Sequence, residues 1–260
     1  MIPKLIHYSW FSGEPYPPQL KACMDTWKRV LPDYELRLWD GKDLADLGNV
    51  FANEAVSVRK WAFAADFLRL YAVYHYGGIW LDTDVEMFCS FDPFLSDSMF
   101  IGREYYVWGT GKWGKRALTA HCFGAEKEHP FIAECLEYYE HRHFIRSTNK
   151  HLPEHLRYDM TIIPHVQAVI AANYGYDMSA KNNGEQILTN GIHVYPYQWF
   201  DQPGYTSMRD VVCIHRVAQS WQPGVKSPKT PNERTDLKRK TPGYYKLKVQ
   251  QALLEWIQGW

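Results

Sequence analysis

The sequence carries no surplus of either charge: 29 Lys and Arg face 29 Asp and Glu over 260 residues. That removes the basic excess of a general nucleic-acid binder, so no nucleic-acid partner is expected. It has few cysteines, and no two of them form a C-x-x-C pair. The five are Cys23, Cys89, Cys122, Cys135 and Cys213. An odd, scattered set argues against a disulfide framework and predicts reduced, mostly buried thiols. No apolar run reaches the roughly 18 residues of a membrane span. The best candidate, 67–81, is interrupted by Arg69, His75 and Gly77-Gly78. The start, Met1-Ile2-Pro3-Lys4, lacks the charged-then-apolar layout of a signal peptide. No H-E-x-x-H or Cys/His spacing marks a zinc enzyme, and the Gly-rich 109–115 lacks the spacing of a P-loop. No internal repeat is present. A cytoplasmic protein is expected, with contact to the inner face of the membrane as a further option taken up below.

What is abundant is aromatic: 11 Trp, 18 Tyr and 12 Phe make up 16% of the chain. Such a surplus fills a core or lines a site that stacks on flat rings. Pro3 to Tyr8 reads as a first buried strand. Pro17 and Pro18 suit a helix start, followed by Leu20, Met24, Trp27 and Leu31 at helical spacing. Tyr34 to Trp39 alternates as a second strand. Ala62 to Tyr76 is the strongest helix, with Ala65, Leu68, Ala72 and Tyr76 on one face. Gly77-Gly78 end it, and Ile79-Trp80-Leu81 is a short apolar strand. Strand, helix, strand, helix, strand predicts an α/β fold with a Rossmann-like, mostly parallel sheet flanked by helices. Further on, Ala117 to Phe123 reads as a strand and Pro130 to His143 as a helix. Ile162 to Asn173 reads as another helix with Thr161 as its N-cap. Ile192 to Tyr195 and Val211 to His215 are short strands.

The division predicted is a catalytic domain over 1–225 and a basic linker with an amphipathic C-terminal helix over 226–260. Residues 226–260 hold eight Lys and Arg against three acids, so a tail of +5 balances a body of −5. The terminal helix aligns Tyr245, Val249, Leu253, Trp256, Ile257 and Trp260 in one stripe. It docks on the body or attaches peripherally to an anionic membrane surface.

Asp82-Thr83-Asp84 stands where the third strand stops. In extended backbone, residues i and i+2 share a face, and ligands of open α/β sheets bind beyond the carboxyl ends of strands. Two hard oxygen donors there suit Mg2+ or Mn2+, which can bridge a diphosphate. In the preceding helix, Asp66 and Arg69 share a face close to the core. A guanidinium so placed needs acceptors, and phosphate oxygens fit it bidentately.

Three segments together resemble glycosyltransferase family 32. Ile6-His7-Tyr8-Ser9-Trp10-Phe11-Ser12-Gly13 resembles its opening I-H-x-x-W-x-G. The run from Ala64 through Asp66, Arg69, Gly77-Gly78 and Trp80 to Asp82-Thr83-Asp84 resembles its D-x-x-R and G-G-x-Y-x-D-x-D block. That block also occurs in the glucosylating domains of clostridial toxins. His215-Arg216-Val217-Ala218-Gln219-Ser220-Trp221 resembles its closing H-H-x-x-x-S-W. Bacterial capsular and exopolysaccharide transferases are the nearest in type.

The resemblance implies a GT-A fold, a nucleotide-sugar donor, a saccharide or lipid-linked oligosaccharide acceptor, a bound Mn2+ or Mg2+, and retention at the anomeric carbon. It implies that Trp10 lies against the base, with Trp80 also flanking the donor. Asp66 and Arg69 would hold donor hydroxyls and diphosphate. Asp82 would contact ribose, sugar or metal, and Asp84 would ligate the metal firmly. Arg69, Asp82 and Asp84 carry the chemistry. His215, Ser220 and Trp221 would close over metal and diphosphate, with His215 as the third metal ligand. Arg216 stands where the family has a second His; having no lone pair to give a metal, it is expected to pair with phosphate. Trp80 replaces a common Tyr. The competing functions are a non-catalytic nucleotide-sugar or carbohydrate-binding protein and a metal-dependent phosphohydrolase. The latter normally needs more carboxylates.

Overall fold

The computed structural model describes residues 1–104, 117–179, 183–201 and 211–216. The Gly-rich segment 109–115, Ser220, Trp221 and the tail 226–260 lie outside the described residues. No helix among the described residues is long and apolar enough to cross a membrane.

The chain runs β1 (Leu5–Ser9), α1 (Pro18–Val30), β2 (Glu35–Trp39), α2 (Gly41–Asp46), α3 (Val50–Ser57), α4 (Trp61–Tyr76), β3 (Gly78–Leu81), β4 (Val85–Met87) and β5 (Met99–Arg103). It continues through β6 (Leu118–Ala125), α5 (Pro130–Glu137), α6 (Glu154–Arg157), α7 (Ile163–Ala172), β7 (Gln186–Ile187), β8 (Ile192–Tyr195), α8 (Tyr197–Phe200) and β9 (Cys213–His215). Seven strands form one sheet in the order β2-β1-β3-β6-β5-β8-β7, and β4 pairs with β9 in a separate ribbon. The half that carries Asp82 is parallel, β2 and β3 flanking β1. β6 runs antiparallel to both β3 and β5, and β5 is parallel to β8. This is the α/β arrangement that the alternation of strands and helices predicts, with helices on the sheet.

β3 is buried on both faces, which explains why it reads as a continuous apolar run. Trp80 enters the core formed with α3, α4, α5 and α7, while Ile79 and Leu81 enter the opposite core with Trp27, Phe91, Phe100 and Phe200. The aromatic surplus is therefore largely structural. Phe91, Phe94, Phe100, Tyr195, Trp199 and Phe200 pack ring on ring under the sheet. Four of the five cysteines are buried and all are free thiols.

Helix α4 is rich in Ala and Leu, strong helix formers, and lies across β1, β3 and β6. Its end needs glycine. Gly77 has φ +64° and Gly78 φ +102°, and a Cβ at Gly78 would stand 2.4 Å from the Leu5 carbonyl oxygen. Gly78→Ala is therefore expected to lose at least about 2–3 kcal/mol of stability, strain and backbone clash combined, in urea unfolding. His7, the second residue of the opening motif, is buried here. It bonds the Gly77 carbonyl through Nε2 at 2.9 Å and accepts from Trp39 Nε1 at Nδ1, at 3.2 Å. Burial holds it neutral by pushing its pKa down to about 4.

Three expectations are corrected. Thr161 does not cap α7. Ile162 occupies that position with no side-chain cap, and the Thr161 N–H donates to Asp159 instead. The helix begun at Pro130 ends at Glu137 rather than His143; His141 has φ +59°, outside helical backbone. Asp82-Thr83-Asp84 is not extended strand but a turn, closed by the Val85 N–H on the Asp82 carbonyl at 3.0 Å.

Candidate functional site

The turn between β3 and β4 is held from three sides. The Asp82 N–H donates to the His121 carbonyl of β6 at 2.9 Å. From α1, Trp27 Nε1 donates to the Val85 carbonyl at 2.7 Å, and Thr26 Oγ1 accepts from the Met87 N–H at 2.9 Å. From β9, the Arg216 N–H donates to the Asp84 carbonyl at 2.9 Å, in register with the Val85–His215 pair. Strand pairing thus brings His215 beside the turn.

As a result Asp82, Asp84 and His215 converge, one ligand atom from each lying within 4.8 Å of the others. His215 Nε2 stands 3.3 Å from Asp84 Oδ1. Two carboxylates and an imidazole form a mixed oxygen and nitrogen set that fits a divalent cation of the Mn2+ type. Burial works against a charged imidazole, yet the Asp84 carboxylate outweighs it and raises the His215 pKa above its ordinary 6.5. This ion pair therefore stabilises the folded chain fully below pH 6.5 and ceases to do so as pH rises through the raised value. A cation must displace that proton. Mn2+ affinity is accordingly expected to strengthen from pH 6 to pH 8 in calorimetric titrations, and an unchanged affinity would count against His215 as a ligand.

Behind the turn, Arg69 is a buried hub. Its Nη2 is 3.0 Å from Asp66 Oδ1 and its Nη1 3.5 Å from Asp82 Oδ2. Nη1 also donates to the Ala120 carbonyl at 2.5 Å, and Nε to the Ala65 carbonyl at 3.2 Å. Burial pushes the Asp66 carboxyl up to about 7, with Arg69 pulling the other way. The side chain of Asp82 is 27% exposed, against 5% for Arg69 and 10% for Asp66. Of the three, Asp82 is the group that offers surface to a ligand. The expected grip of Arg69 on phosphate is replaced by a grip on Asp82 and on strand β6.

Trp80 is corrected in the same way. It is fully buried and cannot stack on a donor. Its Nε1 donates to Asp82 Oδ1 at 2.7 Å, so it orients that carboxylate. Trp10 is partly exposed just beyond β1, its Nε1 donating to the Glu14 carbonyl at 2.6 Å and its ring 4.8 Å from Tyr16. Arg216 binds Glu86 Oε2 through Nε at 2.6 Å and also through Nη2. Its guanidinium is therefore already partnered by a carboxylate where a phosphate partner was expected.

Three residues near the turn escaped the sequence reading. Glu104, just past β5, is raised well above the carboxylate range by burial and then by Asp201. Asp201 and His121 are buried beside His215. None lies in a local motif; only the strand order brings them to the turn.

Residues 17–101 match the family described as glycosyltransferase sugar-binding region containing DXD motif. This stretch, which runs from α1 into β5 and holds the D-x-D turn, is similar to the sugar-binding region of DXD glycosyltransferases. The resemblance to family 32 fits this match. Among curated relatives of this DXD chain, inositol phosphoceramide mannosyltransferase 3 of Schizosaccharomyces pombe is 29% identical over 140 residues, covering 51% of the chain and 36% of the relative. Inositol phosphoceramide mannosyltransferase 1 of the same organism is 26% identical over 160 residues, covering 56% and 46%. The DXD chain thus spans less than half the length of these relatives. Among solved structures, PaToxG glycosyltransferase is 18% identical with a TM-score of 0.45, covering 70% of this chain and 72% of that one. Galactosyltransferase LgtC, with donor and acceptor sugar analogs, is 11% identical with a TM-score of 0.43, covering 94% and 99%.

Proposed function

We propose that this protein is a metal-dependent, retaining hexosyltransferase. It takes a hexose from a nucleotide sugar, UDP-sugars first, and passes it to a saccharide or lipid-linked acceptor in capsular or surface polysaccharide synthesis. It works at the cytoplasmic side of the membrane. The observation that carries the reading is the convergence of Asp82, Asp84 and His215 at the carboxyl end of β3, on a buried Arg69 hub.

Asp84, His215 and Asp82 would hold the cation. When bound, it supplies the positive charge that neutralises a diphosphate and its departing oxygen. Asp82, fixed by Trp80 and Arg69, accepts hydrogen bonds from donor hydroxyls. Trp10 offers an aromatic face for the base, a contact of about 1–3 kcal/mol by analogy with base stacking elsewhere. The acceptor hydroxyl attacks the anomeric carbon from the face that the phosphate leaves, and the leaving phosphate oxygen takes its proton. No separate carboxylate base is needed. Mannose belongs among the donors to be tested, because both fission-yeast relatives are named mannosyltransferases.

The test is a thermal-shift panel of UDP-galactose, UDP-glucose, UDP-N-acetylhexosamines and GDP-mannose with Mn2+. A donor at 100 times its Kd stabilises by about 2.7 kcal/mol, so one member should raise the Tm clearly and then be slowly hydrolysed. A Tm rise without hydrolysis or transfer would favour the non-catalytic binding protein. No rise with any donor would sink the donor assignment.

A further inference from the structure

Beside the D-x-D turn lies a second group of metal-competent side chains: His121 on β6, Asp201 after α8, and His215 on β9. One ligand atom from each lies within 4.8 Å of the others. His121 and Asp201 are 2% and 5% exposed.

The tautomer of His121 follows from its partner. Nε2 is 2.8 Å from the Phe200 carbonyl oxygen, which can only accept, so Nε2 carries the proton. Nδ1 is then an unprotonated lone pair. It is buried and has no hydrogen-bond partner among the described residues. An unsatisfied buried polar atom is costly and calls for an occupant. An imidazole whose N–H is anchored on a backbone carbonyl, with the other nitrogen bare, is the arrangement of a metal-bound histidine. A carboxylate and another imidazole stand beside that ring, one ligand atom of each within 4.8 Å of one of its nitrogens.

We propose that His121 Nδ1, Asp201 and His215 form a second divalent-cation position, richer in nitrogen than the D-x-D set and sharing His215 with it. The rings of His121 and His215 are stacked, with centroids 4.1 Å apart and planes 21° apart. Lone pairs of nearly parallel rings do not meet, so closing this set on an ion requires one ring to turn. His121 is anchored by Phe200, so His215 is the ring that turns, and it leaves Asp84 when it does. The two sets therefore compete for one histidine. Two imidazoles favour a borderline cation such as Zn2+, whereas the carboxylates of Asp82 and Asp84 favour Mn2+ or Mg2+.

The test is calorimetric titration of chelator-treated full-length protein with Zn2+ alone, without nucleotide. His121→Phe keeps a ring against His215 but removes the lone pair; Asp201→Asn is isosteric and serves if the Phe variant melts early. Each is expected to weaken Zn2+ binding by roughly tenfold or more, while Asp84→Asn leaves it within a few-fold of wild type. Wild-type Zn2+ affinity in both His121→Phe and Asp201→Asn overturns the proposal. So does loss of Zn2+ binding in Asp84→Asn alone, which would put the ion on the D-x-D turn. A parallel Mn2+ titration of Asp84→Asn tests the transferase reading separately. Mn2+ binding retained there, with Zn2+ binding still dependent on His121, would remove that reading and leave this one standing.

Discussion

Asp84→Asn is expected to cut Mn2+-dependent donor hydrolysis by at least about 100-fold, the upper end of what loss of an outer-shell metal partner alone costs. The substitution keeps volume and hydrogen-bonding capacity but removes the charge that faces His215 at 3.3 Å. The backbone of the turn should survive, because its anchors are the Asp84 carbonyl to the Arg216 N–H and the Asp82 carbonyl to the Val85 N–H, not the Asp84 side chain. Without metal, Tm should fall only by what the His215–Asp84 ion pair contributes, a loss that fades as pH rises through the raised His215 pKa, while Mn2+ affinity collapses. His215 should also lose its upward pKa shift, since Asp84 is the strongest force raising it. Its NMR titration would then move down in pH. Undiminished turnover with Mn2+ would sink the metal assignment.

Arg69→Met is expected to be the most destabilising change at the site, by about 3–5 kcal/mol in urea unfolding. It leaves Asp66 buried without its counter-charge, the Ala120 carbonyl without its Arg69 donor, and the Asp82 carboxylate with Trp80 as its side-chain partner among the described residues. The loss should depend on pH in a definite direction. The folded-state pKa of Asp66 already lies near 7 against an ordinary 3.8, and removing Arg69 raises it further. A carboxyl raised in the folded state binds its proton more tightly there, so stability falls as pH rises from 3.8 through that raised value. The variant should thus lose more at pH 8 than at pH 5. Adding Asp66→Asn should recover part of the loss and flatten the pH dependence. Equal losses at both pH values would mean that Asp66 does not sense Arg69.

The central block was legible because each of its signals is local. The Ala- and Leu-rich helix α4, the glycine pair with positive φ and the apolar β3 follow one another within Trp61–Leu81. Helices α2 and α3 were missed although their caps stand in the sequence. Asp40 and Asp43 form a capping box, and Asn49 caps α3, but each helix has eight residues or fewer and shows little periodicity. β4 has three residues, too few for alternation to register. At the site, spacing put Asp82 and Asp84 on one side of an extended strand; they do converge, but through a turn. The burial of Trp80 was not readable, because an aromatic next to a ligand motif looks the same whether it faces the ligand or the core. His121 and Asp201 had no local signal at all. They reach the turn only because β6 sits next to β3 and the chain after α8 returns beside β9.

That return has a consequence for how the protein comes into being. The Arg216–Glu86 bond that pins β9 to β4 closes a gap of 130 residues. A ribosome delivering about 5–20 residues per second exposes Asp82 and Asp84 roughly 6–26 seconds before it exposes His215. During that interval the nascent chain carries the two acids without the imidazole. β9, the last strand among the described residues, therefore sets the moment at which the Asp82, Asp84 and His215 set is complete. A chain halted between β8 and β9 would hold all seven strands of the sheet and an incomplete ligand set.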